Sequence, residues 1–337
     1  MKINYNVGFK SNGKITALHL DLLINAGMSP EVSPFLPMYM VGPLKKYNWG
    51  ALSFNFKICK TNHSSKSAMR GPGEVQASFI AEAVIEHVAS VLSIDVGSVR
   101  KTNFHTFDSL QLFYGRDSAG EALEYTLPTI WDKLMTSSNF DSRVEIVNEF
   151  NQFHKWRKKG ISRVPILHEV SLRATPGKVS VLRDGSIVVE VGGIELGQGL
   201  WTKVKQMTAY GLKAVECDGS DGLLEKVRVI QADSLSLVQG GFTSGSTTSE
   251  ASCEAVRLCC NILVERLVDL KKKLEPQMGS VKWDDLISQA NLQSVNLSAS
   301  SFFVPEFTSM SYINYGSAVS EVSSMAYFNI FAMNFSK

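Results

Sequence analysis

The chain turns from strand to helix across residues 189–203, which read Val189-Glu190-Val191-Gly192-Gly193-Ile194-Glu195-Leu196-Gly197-Gln198-Gly199-Leu200-Trp201-Thr202-Lys203. An apolar run ends at two glycines, and a carboxylate and Gly-Gln-Gly follow before the helix begins. The glycines beside Gln198 allow a tight turn, and the first N–H groups of a helix are suited to an anion. The Gln198 amide both donates and accepts hydrogen bonds. The pattern fits either an anion-binding loop or a plain strand–turn–helix junction. It lacks the third glycine of a dinucleotide fingerprint.

A second loop of this kind ends in Met69-Arg70-Gly71-Pro72-Gly73-Glu74, and the apolar periodicity of residues 75–92 predicts a helix directly after it. Arg70 therefore lies on a tight loop before a helix N-terminus, where a cation can hold an anion or an oxo group. The alternative is that Arg70 pairs with a surface carboxylate.

A third loop, residues 239–250, reads Gln-Gly-Gly-Phe-Thr-Ser-Gly-Ser-Thr-Thr-Ser-Glu and precedes a predicted long helix over residues 251–274. Thr247 and Glu250 have the spacing of a capping box, which accounts for one or two of the polar residues. A phosphate-bearing ligand accounts for the remaining glycines and hydroxyls. Three such loops, each ahead of a helix, predict a large anionic cofactor.

Composition bounds the class of protein. The 337 residues suffice for one large domain or two ordinary ones, and 44% hydrophobic with 20% charged residues is typical of globular proteins. A net charge of +2 argues for neither a nucleic-acid partner nor an anionic membrane surface. We find no transmembrane run and no signal peptide. Five cysteines without C-x-x-C spacing suit a reducing compartment, so we expect a cytoplasmic protein.

Other local patterns place the secondary structure. Asn12-Gly13 and Asp184-Gly185 each predict a β-hairpin turn, whereas four prolines in residues 28–43 predict an irregular connection. Residues 130–153 predict a pair of helices. Within the helix over residues 75–92 we expect one buried face, made of Phe79, Ile80, Ala83, Val84, Val88 and Val91.

Cysteines and histidines outside these loops are interpreted as structural. The adjacent thiols Cys259 and Cys260 fall among apolar residues of the predicted long helix and are expected to be buried. His105 has no partner at metal-ligand spacing, so we interpret it as structural. No P-loop, zinc-protease, nucleophile-elbow or EF-hand motif is present in the sequence.

The three loops together resemble the molybdenum-cofactor domain of the xanthine dehydrogenase/aldehyde oxidase family. The similarity rests on residues 192–203, 69–76 and 245–250, covers about residues 1–322 in order and spacing, and is closest to plant aldehyde oxidases. It implies an α+β fold of two β-rich modules with flanking helices, part of a molybdopterin-binding domain. Residues 1–125 would form the end of the first module and residues 126–322 the start of the second, followed by a divergent apolar tail over residues 323–337.

The resemblance also implies residue roles. Gln198 would hydrogen-bond an oxo ligand of molybdenum and Arg70 would lie beside the metal centre, both without ligating the metal. The implied cofactor-binding residues are Arg70, Gly71, Leu196, Gly197, Gln198, Gly199, Gly245, Ser246 and Thr247. The family's complete members oxidise aldehydes to carboxylic acids, carry molybdopterin, two 2Fe-2S clusters and FAD, and form homodimers.

Substrate class is argued from two departures within the resemblance. The family's purine hydroxylases carry a pocket arginine upstream of the Arg70 loop, and residues 35–40, Phe-Leu-Pro-Met-Tyr-Met, contain none. Pro72 also stands where the purine enzymes carry phenylalanine. Both differences favour a small-molecule aldehyde over a purine, and a purine hydroxylase remains the alternative within the family.

Several family features are missing from these residues. The downstream Gly-x-Gly-Glu-x-Pro-like motif that supplies the family's catalytic glutamate is absent, as are iron–sulfur cysteines and an FAD-binding region. We therefore expect a truncated chain that contains no catalytic residue and is inactive in isolation. The alternative from a different class is a non-catalytic fragment that associates with a full-length relative.

Overall fold

A computed structural model describes residues 1–65, 69–114, 125–231, 235, 243–306 and 311–325. These residues form, in chain order, β1 (Lys2–Phe9), β2 (Ile15–Gly27), α1 (Leu36–Leu44), β3 (Ala51–Lys60), α2 (Glu74–Leu92), α3 (Val96–Thr102), α4 (Phe107–Tyr114), α5 (Leu127–Ser137), α6 (Phe140–Phe153), β4 (Arg157–Ser171), β5 (Thr175–Val181), β6 (Ile187–Val191), α7 (Leu200–Lys213), α8 (Leu223–Lys226), β7 (Val227–Gln231), α9 (Thr248–Met278), α10 (Trp283–Leu292), β8 (Ser298–Phe303) and β9 (Ser311–Met325). The predicted apolar tail lies outside the described residues from residue 326 onward.

The chain divides into two compact units. The first unit comprises Met1–Glu169 with Ile313–Lys337, and the second unit comprises Val170–Tyr312. Each contains a β-sheet and helices, which confirms the predicted α+β class with β-rich modules and flanking helices. The predicted division of the family modules near residue 125 stays a prediction.

The first unit is built on a three-stranded sheet with the order β1-β2-β3. β1 and β2 form an antiparallel hairpin, and Gly13 in its turn has a φ of +83°. The Oδ1 atom of Asn12 accepts the N–H of Lys14 at 3.1 Å, which confirms the turn predicted from Asn-Gly. β2 and β3 pair in parallel, and β4 pairs with β9 in a separate sheet.

The prediction of an irregular connection over residues 28–43 is wrong in its second half, because α1 occupies residues 36–44. Both prolines of this helix lie near its ends. Pro37 falls in the first turn, where the backbone N–H would have no helical acceptor in any case. Pro43 is the penultimate helical residue, so it does not interrupt the middle of the helix.

The core helix of the first unit is α2. Its buried residues, among them Ile80, Val84 and Val88, belong to the same apolar cluster as the buried side chains of β2. By length and composition alone α2 could cross a membrane, a test that buried core helices also pass. Phe79 and Val91 were predicted on the buried face but are 75% and 59% exposed. Both sides of α2 carry apolar residues, and the side with several small alanines is the one buried.

A charged network lies inside the first unit around the Glu82 carboxylate on α2. Lys46 is fully buried, and its Nζ atom lies 2.6 Å from Glu82 Oε1. The Nε atom of Arg100 donates to Glu82 Oε2 at 2.8 Å, and the hydroxyl of Tyr47 donates to Oε1 at 3.1 Å. Arg100 also reaches the more exposed Glu86 at 3.1 Å. Burial lowers the pKa of Lys46, and the nearby Glu82 charge opposes that effect.

His105 is structural, as the sequence indicates. Its Nδ1 atom lies 3.1 Å from the hydroxyl of Ser109, and its Nε2 atom lies 3.0 Å from the carbonyl oxygen of Lys45. Burial lowers the pKa of the imidazole because desolvation disfavours its charged form. Both ring nitrogens are thus used in local packing.

The second unit contains a four-stranded sheet with the order β7-β6-β5-β8. β5 and β6 form the hairpin predicted from Asp184-Gly185, and β6 pairs in parallel with β7. The helices α7 and α9 share one apolar cluster with the sheet. A Cβ atom on Gly211 of α7 would lie 2.7 Å from the Cβ atom of Cys260 on α9, so this glycine allows the two helices to approach closely.

The charged network yields a stability prediction. Glu82→Ala should lower the free energy of unfolding by about 3–5 kcal/mol, because it leaves buried Lys46 and Arg100 without their shared carboxylate. The matched control is Glu86→Ala, which removes a carboxylate that also pairs with Arg100 but is 57% exposed, and should cost less than about 1 kcal/mol. Urea unfolding measures both. Equal effects of the two substitutions would contradict this interpretation of the network.

The buried thiols yield a reactivity prediction. Cys259 and Cys260 are both 0% exposed, and burial raises their pKa values to about 11 and about 12. Because the thiolate is the reactive form, iodoacetamide at pH 8 should leave both unmodified in the folded chain and modify them after denaturation. Cys59, which is only partly buried, serves as the control, and peptide mass spectrometry provides the readout. Modification of Cys259 or Cys260 as fast as Cys59 in the folded chain would show that they are accessible.

Candidate functional site

The glycine loop of the second unit runs from the end of β6 at Val191 to the start of α7 at Leu200. Gly197 and Gly199 have φ values of +99° and +80°, in the left-handed region that favours glycine. A Cβ atom built on either residue would meet nothing within 4 Å. The two glycines are therefore required by the backbone conformation, and the chain is open on that side.

Within this loop the Glu195 side chain binds the start of the following helix. Its Oε1 atom accepts the N–H groups of Gly197 at 2.7 Å and Gly199 at 3.0 Å, and its Oε2 atom accepts the N–H of Trp201 at 3.1 Å. The N–H groups of Gly199 and Trp201 contribute most to a pKa of Glu195 below its ordinary value. The carboxylate is thus the anion at the N-terminus of α7.

This arrangement corrects the prediction made for the helix start. The sequence suggests that the first N–H groups of α7 face a bound anion, but those of Gly199 and Trp201 donate to Glu195. The Glu195 carboxylate, which lies in the same loop as these N–H groups, is their acceptor. An external anionic ligand is therefore not accommodated by these N–H groups.

The Gln198 amide is held by the loop itself. Its Oε1 atom accepts the N–H of Leu196 at 2.6 Å, and its Nε2 atom donates to the carbonyl oxygen of Ile194 at 2.9 Å. Exchanging the amide oxygen and nitrogen would place like groups against each other, so the hydrogen bonds assign the orientation. Gln198 is exposed, and Nε2 retains a second N–H that can donate to a ligand.

Two of the three predicted loops meet in the second unit. The hydroxyl of Thr243 accepts the N–H of Ile194 at 2.8 Å and lies 3.2 Å from the Ile194 carbonyl oxygen, to which it can donate. A Cβ atom on Gly193 would collide with Cγ2 of Thr248 and would lie 2.9 Å from Cδ2 of Leu200. Gly193 therefore lets the start of α9 approach the glycine loop.

The loop before α9, the third in the sequence analysis, enters that helix through two consecutive left-handed residues, Gly245 at φ +70° and Ser246 at φ +60°. A serine in this region is uncommon, and such residues concentrate at ligand clamps and switch regions. Within the described part of the chain, the backbone N–H groups of Gly245, Ser246 and Thr247 have no hydrogen-bond acceptor. Consecutive N–H groups near a helix N-terminus form a concave anion-binding surface.

The capping box predicted from Thr247 and Glu250 does not form. Thr247 precedes α9 but makes no side-chain capping bond, and its side chain is 2% exposed. The hydroxyl of Thr248 accepts the N–H of Ser244 at 3.3 Å instead, while Glu250 accepts the hydroxyl of Tyr312 at 2.6 Å. The first turn of α9 consequently keeps its N–H groups without a capping side chain.

Two cations lie near this helix start. The Nη1 atom of Arg173 donates to the Ser244 hydroxyl at 3.3 Å, and the Nζ atom of Lys203 donates to the Ser249 hydroxyl at 3.2 Å. Lys203 and Ser249 also line a shallow groove of about 400 Å³ between α7 and α9. The remaining lining residues are Gln206, Met207, Tyr210, Glu250 and Cys253. Positive charge, together with N–H groups that have no acceptor among the described residues, favours an anion at the start of α9.

The remaining predicted site residues, Arg70 and Gly71, lie in the first unit. Arg70 is exposed, and no carboxylate among the described residues lies within ion-pair distance of it. Gly71 has a φ of +66°, and its carbonyl oxygen accepts the N–H of Val75 at the start of α2. The guanidinium is thus available to a ligand on a loop shaped by glycine.

Sequence reasoning missed the roles of Glu195, Thr243, Arg173 and Lys203. Glu195 was recognised only as a carboxylate within a glycine loop, although an acidic residue just before a helix is a signal for capping. Thr243 and Arg173 carry no such signal, because their hydrogen-bond partners lie 49 and 71 positions away in the sequence, respectively. Contacts of that separation depend on the tertiary fold.

Comparison with known sequences places these loops in a described family. Residues 133–325 and residues 1–104 each match a family described as a molybdopterin cofactor-binding domain. The chain is 62% identical over 323 residues to the abscisic-aldehyde oxidase of Arabidopsis thaliana and 61% identical over 322 residues to an indole-3-acetaldehyde oxidase of Zea mays. These alignments cover 96% of this chain but 24% of each relative.

Comparison with solved structures supports the fold. The aldehyde oxidoreductase from Desulfovibrio desulfuricans superposes with a TM-score of 0.71 at 18% identity, covering 96% of this chain and 34% of that one. The quinoline 2-oxidoreductase from Pseudomonas putida superposes with a TM-score of 0.70 at 16% identity, covering 95% of this chain and 44% of that one. At these identities the likeness concerns the fold alone.

The contact between the loops yields a prediction. Gly193→Ala should lower the free energy of unfolding by about 1–3 kcal/mol, because its methyl group would push Thr248 and Leu200 apart. The matched control is Gly222→Ala, where the added methyl group would meet nothing within 4 Å and φ is −86°. Chemical denaturation of both variants measures the difference. A Gly193→Ala chain as stable as the control would show that the loops are not tightly packed there.

Proposed function

The chain belongs to the family of molybdopterin cofactor-binding domains, and from this premise we propose that it supplies the cofactor-binding modules of an oxidoreductase that oxidises an aldehyde to a carboxylic acid. The relatives named as aldehyde oxidases, at about 60% identity, support the reaction class. Since the chain spans 24% of their length, the activity is proposed for a protein that also contains the remaining parts.

The observation that carries the proposal is the exposed turn at Gly245 and Ser246, which leads into the buried Thr247 at the start of α9. Their N–H groups have no acceptor in the described part of the chain, and Arg173 and Lys203 lie close by. Molybdopterin carries a phosphate, and N–H groups of this kind bind phosphate readily. The donor set therefore fits the cofactor at this loop, whereas the Glu195 carboxylate makes the start of α7 unsuited to the same phosphate.

Gln198 fits a different part of the cofactor. Its Oε1 atom is occupied by the N–H of Leu196, so the group that it presents outward is the second N–H of Nε2. We propose that this N–H donates to an oxo group at the metal, with Leu196, Gly197 and Gly199 lying against the pterin. On the first unit, we propose Arg70 and Gly71 as cofactor-binding residues, because the exposed guanidinium is a cation that can bind an anionic group.

The cofactor, when bound, supplies the oxidation chemistry, and the protein's residues bind it, orient it and exclude water. The donor N–H of Gln198 would fix the orientation of the oxo group through a directional hydrogen bond. The N–H groups of Gly245 and Ser246 would anchor the opposite, phosphate-bearing end. Two anchor points at the two ends of an elongated ligand restrict its rotation as well as its position.

An aldehyde is the proposed substrate class, and a purine is less well supported. Residues 35–40 contain no arginine that could pair with a purine, and Pro72 stands at the position of the purine enzymes' phenylalanine. We further propose a cytoplasmic location and a homodimeric complete enzyme. Residues 1–337 alone should bind the cofactor without turnover, because the family's catalytic glutamate motif is not among them.

The proposal predicts a specific loss of cofactor. Ser246→Val places a β-branched residue at φ +60° in the anion-binding loop, and should reduce the molybdopterin that copurifies with residues 1–337 by at least about tenfold. Ser294→Val is the matched control, since it makes the same change at φ +57° after α10. Fluorescence of the released, oxidised pterin gives the amount.

Equal pterin retention in the Ser246→Val and Ser294→Val chains would contradict the proposed phosphate site. Absence of pterin from the unaltered chain, produced in a host that makes molybdopterin, would contradict the proposed function as a whole. Circular dichroism of each chain confirms that the comparison is between folded proteins.

A further inference from the structure

Glu195 is an acidic residue in a loop that the proposed function assigns to an anionic cofactor. Its carboxylate accepts three backbone N–H groups, from Gly197, Gly199 and Trp201. Among the residues that the structure describes, no Lys, Arg or His lies within ion-pair distance of it. Its negative charge is therefore compensated by backbone dipoles at the start of α7.

We propose that Glu195 is the positioning residue of this site: a resident anion that holds Gln198 in its donating orientation and closes the start of α7 to other anions. The inference rests on the proposed function, because it assigns the cofactor's phosphate to the start of α9. It differs from that function in naming a residue that acts through Gln198 and that need not touch the cofactor.

The first step of the argument is the backbone on either side of Gln198. Glu195 Oε1 accepts the N–H of residue 197 at 2.7 Å and of residue 199 at 3.0 Å, so the N–H groups of the two residues beside Gln198 are bound to one oxygen atom. Both flanking residues are glycines at positive φ, which have few steric constraints of their own. The Glu195 carboxylate therefore restricts the backbone at the two glycines, which have no side chains to do so.

The second step is the orientation of the Gln198 amide. With the backbone fixed, its Oε1 atom lies 2.6 Å from the N–H of Leu196 and its Nε2 atom lies 2.9 Å from the carbonyl oxygen of Ile194. These opposite partners allow one orientation of the amide. The outward group is then always a donor, so Gln198 selects an acceptor such as an oxo group.

The third step is selectivity between two helix starts. Both α7 and α9 begin after loops with left-handed residues, and both could attract an anion. Glu195 neutralises the first, while the N–H groups of Gly245 and Ser246 remain without acceptors in the described residues. A phosphate would therefore bind at the start of α9, and the Gln198 N–H would donate to the oxo group at the other end of the ligand.

No neutral or shorter side chain reproduces this. A glutamine at position 195 offers one acceptor oxygen, and its amide nitrogen would oppose a backbone N–H. An aspartate is shorter by one methylene group, so it cannot reach the same N–H groups from the same backbone. A carboxylate supplied in solution, by contrast, can occupy the space that Glu195→Ala leaves.

The test follows backbone and side-chain amides of residues 1–337 by NMR in the unaltered chain, Glu195→Ala, Glu195→Gln and Glu190→Ala. Glu190 is the matched control, because it is a carboxylate on β6 that pairs with Lys178 at 3.4 Å outside the loop. Each sample is titrated with sodium acetate, with sodium chloride at equal ionic strength as the reference, and separately with inorganic phosphate.

We expect acetate to leave the amides of Gly197, Gly199 and Trp201 unmoved in the unaltered chain and in Glu190→Ala. In Glu195→Ala the Gln198 side-chain resonances should shift, and acetate should return them to their original positions with saturation. Glu195→Gln should show the altered Gln198 resonances while preserving side-chain volume, which separates loss of charge from loss of packing.

The proposal is overturned if acetate moves these amides equally in the unaltered chain and in Glu195→Ala, or if the Gln198 resonances are the same in every chain. A Glu195→Ala chain that does not fold leaves the unaltered chain and Glu195→Gln to decide the matter. Phosphate tests the proposed function separately: if the Gly245 and Ser246 amides do not respond in the unaltered chain, the phosphate site fails while the role of Glu195 stands.

Discussion

Three backbone N–H groups bound to one carboxylate, that of Glu195, are the constraint on which the candidate site depends. Glycine-rich backbone has no preferred conformation of its own, so a loop of this composition requires an internal partner to hold one shape. The carboxylate provides it, and the Gln198 amide and the start of α7 take their positions from it. Charge-assisted hydrogen bonds of this kind are stronger than neutral ones, which suits a loop that lies open on one side.

The second dependency is close packing between the two loops of the second unit. Gly193 has no side chain, so Thr248 and the start of α9 lie against it, and Thr243 joins the loops through Ile194. Two helix starts are thereby brought to one region with different electrostatic characters. The start of α7 is neutralised by the Glu195 carboxylate, whereas N–H groups at the start of α9, near Lys203 and Arg173, have no acceptor in the part of the chain that the structure describes. Such a division suits a ligand with one phosphate-bearing end.

The first unit solves a different problem, since it holds ionic groups inside its core. The partly buried Glu82 carboxylate pairs with Lys46 and Arg100 and accepts the Tyr47 hydroxyl, which makes the two buried cations tolerable. The same helix, α2, begins directly after the loop that carries Arg70. An ordered helix start fixes the end of that loop, so the core network and the exposed guanidinium belong to one continuous element of structure.

Local sequence was sufficient to predict the secondary structure near each glycine pattern. The hairpins at Asn12-Gly13 and Asp184-Gly185 and the buried thiols follow from short-range rules, because the responsible interactions lie within a few residues. The same rules failed at residues 36–44, because prolines near the ends of a helix do not prevent it from forming. They also failed at Phe79, because α2 has two apolar faces and the sequence did not show which one packs against the sheet. The family resemblance likewise rests on three short motifs.

The sequence by itself therefore determined the class of fold, the positions of three loops ahead of helices and the family of cofactor-binding domains. Tertiary structure alone decided which loop has backbone N–H groups without an acceptor among the described residues. The folded chain shows that the Glu195 carboxylate accepts the N–H groups at the start of α7, whereas those of Gly245 and Ser246 have no acceptor among the described residues. The physical reason is that the local sequence indicates which backbone N–H groups lie at a helix start. Which acceptors bind them depends on the path of the folded backbone, and some acceptors lie far away in the sequence.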